Sequence, residues 1–362
     1  MKKLILLVLV IFVVSLQLQS QTLFRSGRFF HHSTGGCIWG PNGSTTSVPQ
    51  QMTIYNTNHS YTGQYTVTMN EMWFPVNFDN EWAMWHSIFR TNTPENIWSY
   101  FASNRIIMIK SCFPSSALEG VGEPGDTLTP EFKTIYNYKW HWRCVVNMMK
   151  NRPQNFFVIW TNAPLTQAET NANAAMWSKQ FCKWAKDTLA NGLDPVFGAF
   201  PNNVYVFDFF SKLTDANGYM LLQYANDPND PHPNAAATEL VAPQLVNEVF
   251  DHSIAYESLY GIKKLNEIIP CDYQLYQNYP NPFNPLTKIR FDLPQNSFVK
   301  LTVFDMLGKE VLTLVNGKLN AGSYETDWDS NQSGASILSS GIYFYTLETD
   351  DFLDVKKMVL LK

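Results

Sequence analysis

Two short segments hold the side chains best suited to covalent chemistry. Phe29-Phe30-His31-His32-Ser33-Thr34-Gly35-Gly36 sets a hydroxyl between an apolar stretch and two glycines, and Asp230-Pro231-His232-Pro233-Asn234 sets an imidazole beside a carboxylate far along the chain. A serine hydroxyl is a weak nucleophile at neutral pH until a base takes its proton, and histidine has the ordinary pKa that suits this task. A carboxylate bonded to the far ring nitrogen holds the imidazole in the right tautomer. Together the segments predict a serine hydrolase: Ser33 attacks an ester carbonyl, His232 moves the proton, and Asp230 orients His232, with Asp227 as the rival carboxylate. Such chemistry needs no cofactor.

These groups need a rigid frame, and the sequence between them alternates strand-like with helix-like pieces. Arg28 to His31, Arg105 to Lys110, Asn155 to Trp160 and Asn203 to Asp208 read as strands; Phe132 to Lys150, Ala172 to Ala190 and Ala235 to Asp251 read as helices. Alternation of this kind implies a mostly parallel sheet covered on both faces, a three-layer α/β fold of the flavodoxin-like kind, with active groups beyond the carboxyl ends of the strands. Ser33, Ser111, Asn162 and Asp208 all fall at such ends. Asp208 is expected to be a structural hydrogen-bonding residue. Most tryptophans are expected in the core, while those between Glu71 and Trp85 could line a sugar-binding face.

A serine after the first strand and an Asp/His pair just before the last helix resemble the SGNH (GDSL-like) hydrolases, over Arg28 to about Ala255. The family's serine lies in Gly-Asp-Ser; here His31-His32-Ser33 keeps the serine and not its two predecessors. Its histidine follows an aspartate by three residues and precedes a proline; His232-Pro233 fits, but Asp230 stands two residues before His232 and Asn229 three before. The resemblance implies an oxyanion hole, whose donors are each worth roughly 3 to 4 kcal/mol. Its glycine is expected in the loop after the second strand, best matched by Gly63. Its asparagine is expected after the third strand, where Lys110-Ser111-Cys112-Phe113 offers Ser111 as a substitute donor and Asn162 is the rival. The substrates implied are acyl groups on carbohydrate, with simple lipid or aryl esters as alternatives.

Blander roles exist for each piece. Ser33-Thr34 could cap a helix, Gly35-Gly36 could only make a turn, and His232 could be a loop residue. His31, His32 and His232 with Asp230 could bind zinc, but adjacent histidines on a strand point to opposite faces, so no metal is expected. The rival class is a non-catalytic SGNH-like surface protein that binds glycan through its aromatic loops.

The chain has 362 residues, 45% hydrophobic and 16% charged, ample for a large core and more than one domain. A net charge of -5 without basic runs beyond paired lysines gives no footprint for nucleic acid. Met1-Lys2-Lys3 and the apolar run Leu4 to Val14 read as a signal peptide over 1–21, too short to span a bilayer of roughly 30 Å. No transmembrane span is expected. Five cysteines, few and odd in number, predict no disulfide framework.

Composition breaks near Pro270. The α/β domain is assigned to 22–262, a linker to 263–274, and a small all-β sandwich to 275–362, where alternating segments are separated by turns such as Leu307-Gly308-Lys309. Leu275-Tyr276-Gln277-Asn278-Tyr279-Pro280-Asn281-Pro282-Phe283-Asn284-Pro285, Val303-Phe304-Asp305-Met306-Leu307-Gly308-Lys309 and Ser340-Gly341-Ile342-Tyr343-Phe344-Tyr345 closely resemble the C-terminal sorting domain of type IX secretion substrates. The resemblance implies export through the periplasm and outer membrane by that machinery, to the medium or the cell surface.

Overall fold

The computed structural model describes residues 23–40, 46–74, 81–90, 97–266, 268–330 and 338–362; the expected signal peptide lies outside them. β1 (Ser26–His31) passes into α1 (Ser33–Trp39) after a single residue. Then come α2 (Val48–Asn58), β2 (Thr68–Trp73), α3 (Glu81–Arg90), β3 (Ile106–Ile109), α4 (Ile135–Lys150), β4 (Phe156–Trp160), α5 (Ala172–Lys183), β5 (Val204–Phe207), α6 (Phe209–Leu213), the hairpin β6 (Ala225–Asp227) with β7 (Asp230–Pro233), and α7 (Ala235–Leu259). β1 to β5 form one parallel sheet in the order β2-β1-β3-β4-β5, the doubly wound order with its switch point between β1 and β3.

Side chains alternate across this sheet with period two. Phe29, Met108 and Val158 pack beneath α1, α2 and α7, whereas Phe30, Ile107, Ile109, Phe157 and Ile159 pack beneath α3, α4 and α5. Burial on both faces is why β3 and β4 are unbroken apolar runs. Thr134, Asn171 and Asn234 start α4, α5 and α7 by accepting from backbone N–H groups three residues on, each cap worth about 1 kcal/mol. The last turns of α5 widen into a π-helix, Trp184–Leu189.

Buried charge ties the first residues to the last helix. Arg25 Nε and Nη2 lie 3.0 and 3.1 Å from the two carboxylate oxygens of Glu257, and Phe24 N donates to Glu257 Oε1 at 2.8 Å. Burial pushes the Glu257 carboxyl above its usual pKa, against the opposing pull of Arg25.

The second strand lies later than the resemblance implied. The segment ahead of it forms α2, so Gly63 precedes β2, in a short 3-10 turn at φ 57°. That turn is at the amino ends of the strands, whereas Ser33 is at the carboxyl ends. The segment read as loop-rich also yields α3, which buries Trp82 and Trp85 completely; they form core and no sugar-binding face.

Beyond α7 the strands are antiparallel: β8 (Lys263–Lys264), β9 (Gln274–Leu275), β10 (Leu286–Leu293), β11 (Ser297–Phe304), β12 (Glu310–Leu319), β13 (Gly322–Asp329), β14 (Gly341–Glu348) and β15 (Leu353–Leu360). They build two four-stranded sheets, β8-β13-β10-β9 and β12-β11-β14-β15. Ile289, Phe291, Leu301, Val303, Tyr345 and Leu347 fill the core between them. Lys263-Lys264, expected in the linker, instead pairs with Glu325 and Tyr324. α7 packs against β12, and Leu259 approaches Gly317 so closely that a Cβ there would lie 2.9 Å from its Cδ1.

Candidate active site

His32 is the N-cap of α1 and its backbone is extended; Ser33 is the first helical residue, so its hydroxyl is not spent on a cap. The first turn closes directly over the end of β1. A Cβ on Gly35 would lie 2.4 Å from His31 Cβ, which leaves glycine as the residue that fits. His31 is buried beneath it, with Nδ1 2.9 Å from the His32 carbonyl and Nε2 2.7 Å from Glu71 Oε2 on β2. Burial draws its pKa below the ordinary histidine value, although both acceptors oppose the shift.

In the hairpin before α7 the two candidate carboxylates have different partners. Asp227 Oδ1 accepts from Asn229 N at 2.7 Å and closes the turn. Asp230 Oδ1 lies 2.5 Å from His232 Nδ1 and also accepts from His232 N at 3.1 Å. The two-residue spacing therefore works, because the extended strand β7 folds the carboxylate back onto its own neighbour's ring. Hydrogen bonds from Asn226 and then His232 hold the Asp230 carboxyl below its usual pKa. With Nδ1–H directed at Asp230, the lone pair of His232 is on Nε2.

Contacts through the loop after β3 bring the two segments to one place. Cys112 Sγ lies 3.2 Å from Ser33 Oγ, and the next residue, Phe113, sets its ring edge-on to the His232 ring at 4.8 Å between centroids. On the far side of α1, Thr238 Oγ1 donates to the Cys37 carbonyl at 2.9 Å. Burial pushes up the pKa of the Cys37 thiol, on which the charges of Lys110 and Asp230 both act. Ser33 and His232 thus flank Cys112-Phe113 at the switch point between β1 and β3, and no hydrogen bond joins Ser33 Oγ to the imidazole.

The oxyanion residues divide differently. Gly63 is at the opposite end of the sheet. Asn162 is buried, with Oδ1 accepting from Trp82 Nε1 at 3.0 Å and Nδ2 donating to the Ser115 carbonyl at 2.9 Å; it braces α3 against the loop after β3. Ser111 is fully buried next to Cys112, and its hydroxyl has no hydrogen-bond partner. Asp208 caps α6, accepting from Ser211 N at 3.3 Å and from Thr161 Oγ1 at 3.2 Å. Trp73, at the end of β2, is 55% exposed with its ring 5.2 Å from that of His32. Among the described residues no group of three His, Cys, Asp or Glu side chains could hold a metal, and all five cysteines are free thiols.

Sequence reasoning missed Lys110, Thr34 and Cys112. Lys110 ends an apolar strand yet is only 1% exposed; its Nζ donates to Thr34 Oγ1 and, at 2.8 Å, to the Ser111 carbonyl. A lysine closing a fully buried strand was the available signal, since an unpaired cation is rarely enclosed.

The fold is a parallel five-stranded α/β part, which holds Ser33 and the Asp230–His232 pair, followed by separate antiparallel β sheets. Residues 277–361 match the family described as the secretion system C-terminal sorting domain. The chain therefore carries a type IX sorting tail and is exported, as a secreted or cell-surface protein. No helix among the described residues is long and apolar enough to cross a membrane.

No curated protein matches the chain. Among solved structures, dimeric latent PorU from Porphyromonas gingivalis is similar at 20% identity over 27% of this chain and 10% of its own, with a TM-score of 0.21. The chain thus spans a tenth of that protein's length. BT4096, a gut microbial diltiazem-metabolizing enzyme, is similar at 9% identity over 83% of this chain and 71% of its own, with a TM-score of 0.36. An endo-beta-1,4-mannanase from Cellulomonas fimi is similar at 10% identity over 92% and 63%, with a TM-score of 0.20. Scores this small define neither fold nor chemistry.

Proposed function

We propose that the α/β domain is an SGNH-type serine esterase that acts outside the cell on carboxylic esters, with acyl groups on carbohydrate as the favoured substrates. The observation that carries this reading is the Asp230–His232 pair, which fixes the imidazole tautomer against Phe113, next in sequence to the Cys112 that meets Ser33. Ser33 Oγ attacks the ester carbonyl carbon while His232 Nε2 takes its proton; collapse of the tetrahedral species returns that proton to the leaving alcohol. Water then releases the acyl group by the same steps. Ser111, whose buried hydroxyl has no hydrogen-bond partner, is the side-chain donor we assign to the oxyanion, and its loss is expected to lower kcat by roughly 100-fold. Exposed Trp73 near His32 supports a sugar-bearing substrate, since its ring offers an apolar platform.

A second reading, a scaffold that binds glycan without hydrolysing it, draws support from Asn162, which is committed to Trp82 and Ser115 where an oxyanion donor was sought. The test is fluorophosphonate labelling and aryl acetate turnover by the full chain, beside Ser33→Ala and His232→Ala. Labelling and turnover lost in both variants support the esterase. A folded wild-type chain that neither labels nor turns over removes it in favour of the scaffold.

A further inference from the structure

We infer that residues 277–283, ahead of β10, form a covering segment that closes the outer edge of β15 and keeps the tail from pairing with a second copy of this chain. A strand at the rim of a sheet presents a row of N–H and C=O groups that another strand can take up. Among the described residues the two tail sheets have four such rims. β8 and β9 are only two residues long, and β12 is broken by two register shifts against β11 and lies against α7. β15 differs from these: its eight residues, Leu353–Leu360, run in unbroken register with β14.

The segment meets the outward groups of β15 in turn. Val359 N donates to Asn281 Oδ1 at 2.9 Å, Phe283 N donates to the Val359 carbonyl at 3.0 Å, and Leu361 N donates to the Phe283 carbonyl at 2.9 Å. Gln277 Nε2 donates to the Lys357 carbonyl at 2.8 Å, and Asn281 Nδ2 donates to the same oxygen at 3.5 Å. A side-chain amide has both a donor and an acceptor, so Asn281 satisfies the edge as a strand residue would. Phe283 pins the segment, its ring 2% exposed and 5.1 Å from that of Trp328. The odd-numbered residues of β15 thus face outward, and the cover stops short of Leu353 and Val355, which are 66% and 49% exposed. The sequence of β15 fits a second copy of itself. Two copies related by a two-fold axis at Val355 would pair antiparallel, with Asp354 facing Lys356 of the second copy and Leu353 facing its Lys357. In that pairing Leu353 N must donate to the Lys357 carbonyl, the oxygen that Gln277 and Asn281 already hold.

Two measurements on the full chain test this. First, in the wild type, amide hydrogen exchange at Val359 and Leu361 should be roughly 100-fold slower than at Leu353, where the cover does not reach. Equal rates overturn the cover, a result that needs no variant to fold. Second, sedimentation at rising concentration should show a monomer for the wild type and self-association for Gln277→Ala/Asn281→Ala, with exchange at Val359 faster by about tenfold. Adding Leu353→Lys and Val355→Lys, which charge the open rim, should restore the monomer. A Gln277→Ala/Asn281→Ala chain that stays monomeric, a wild type that associates as strongly as that variant, or association that survives the added lysines overturns the closure against a second copy.

Discussion

Acidification from pH 8 toward pH 4 should destabilise the α/β domain through one buried histidine pair. His86 Nδ1 on α3 lies 3.0 Å from His141 Nδ1 on α4, and His141 Nε2 lies 3.2 Å from the Pro130 carbonyl. A carbonyl only accepts, so His141 has its hydrogen on Nε2 and a lone pair on Nδ1, and His86 donates to it. Both rings are nearly inaccessible, and burial lowers each pKa from 6.5 to about 4; for His86 the nearby His141 adds to the shift. A lowered folded-state pKa means that the unfolded chain takes up protons first. Stability is therefore complete above about pH 6.5 and falls as pH drops toward 4. A difference of 6.5 − 4 = 2.5 units per ring corresponds to roughly 3 kcal/mol for the first proton; the second belongs to the coupled pair and is not simply additive. The assay is urea unfolding between pH 8 and 4, followed by tryptophan emission, which reports mainly on this domain because ten of the eleven tryptophans precede Pro270. His86→Leu/His141→Leu should flatten the dependence between pH 6.5 and 4. An unchanged slope in the double variant would refute the reasoning.

Three further outcomes are expected. Glu257→Ala should cost about 3 to 5 kcal/mol in the same unfolding assay by leaving the Arg25 guanidinium buried without its partner; a loss below 1 kcal/mol would show the pair to be dispensable. Gly35→Ala should drive the first turn of α1 off His31 and reduce esterase kcat by at least tenfold, so wild-type kinetics in a folded variant would contradict the packing described. Asp230→Asn should lower kcat by roughly 1,000-fold or more, while Asp227→Asn stays within a few-fold of wild type; the reverse ranking would reassign the orienting carboxylate.

The apolar runs Ile106 to Ile109 and Phe156 to Trp160 were legible because strands buried on both faces have no polar positions to blur them. β2 was not legible. Thr68–Trp73 is an edge strand whose Asn70 and Glu71 are exposed, and nothing in Thr-Met-Asn-Glu-Met-Trp favours strand over loop. Missing it put Gly63 at the wrong end of the sheet. Ser33 and His232 stood out by residue type, and of the two carboxylates weighed the one that bonds the His232 ring is Asp230. The Lys110–Thr34–Cys112 contacts were not legible, since they join residues that nothing in the sequence pairs. In the tail, alternation at Ile289, Phe291 and Leu293 pointed to a strand with one dry face, and all three are buried. Lys263-Lys264 was too short and too charged to be read as a strand, and its pairing with β13 is decided by where α7 ends.

That ending has a bearing on any separation of cargo from tail. Lys263-Lys264 supplies the outer strand of one tail sheet, and Leu259 is seated over Gly317. A chain severed ahead of Lys263 keeps that strand on the tail, so β13 stays covered at Tyr324 and Glu325, while the departing α7 lifts Leu259 from Gly317. Severed after Lys264, the same two residues stay with the cargo and must be peeled from the sheet before the pieces part, uncovering Leu259 and leaving the tail a raw β13 edge whose unsatisfied N–H and C=O groups at Tyr324 and Glu325 invite pairing with other chains. The two halves share a seam rather than a tether, and parting them leaves at least one sticky surface behind.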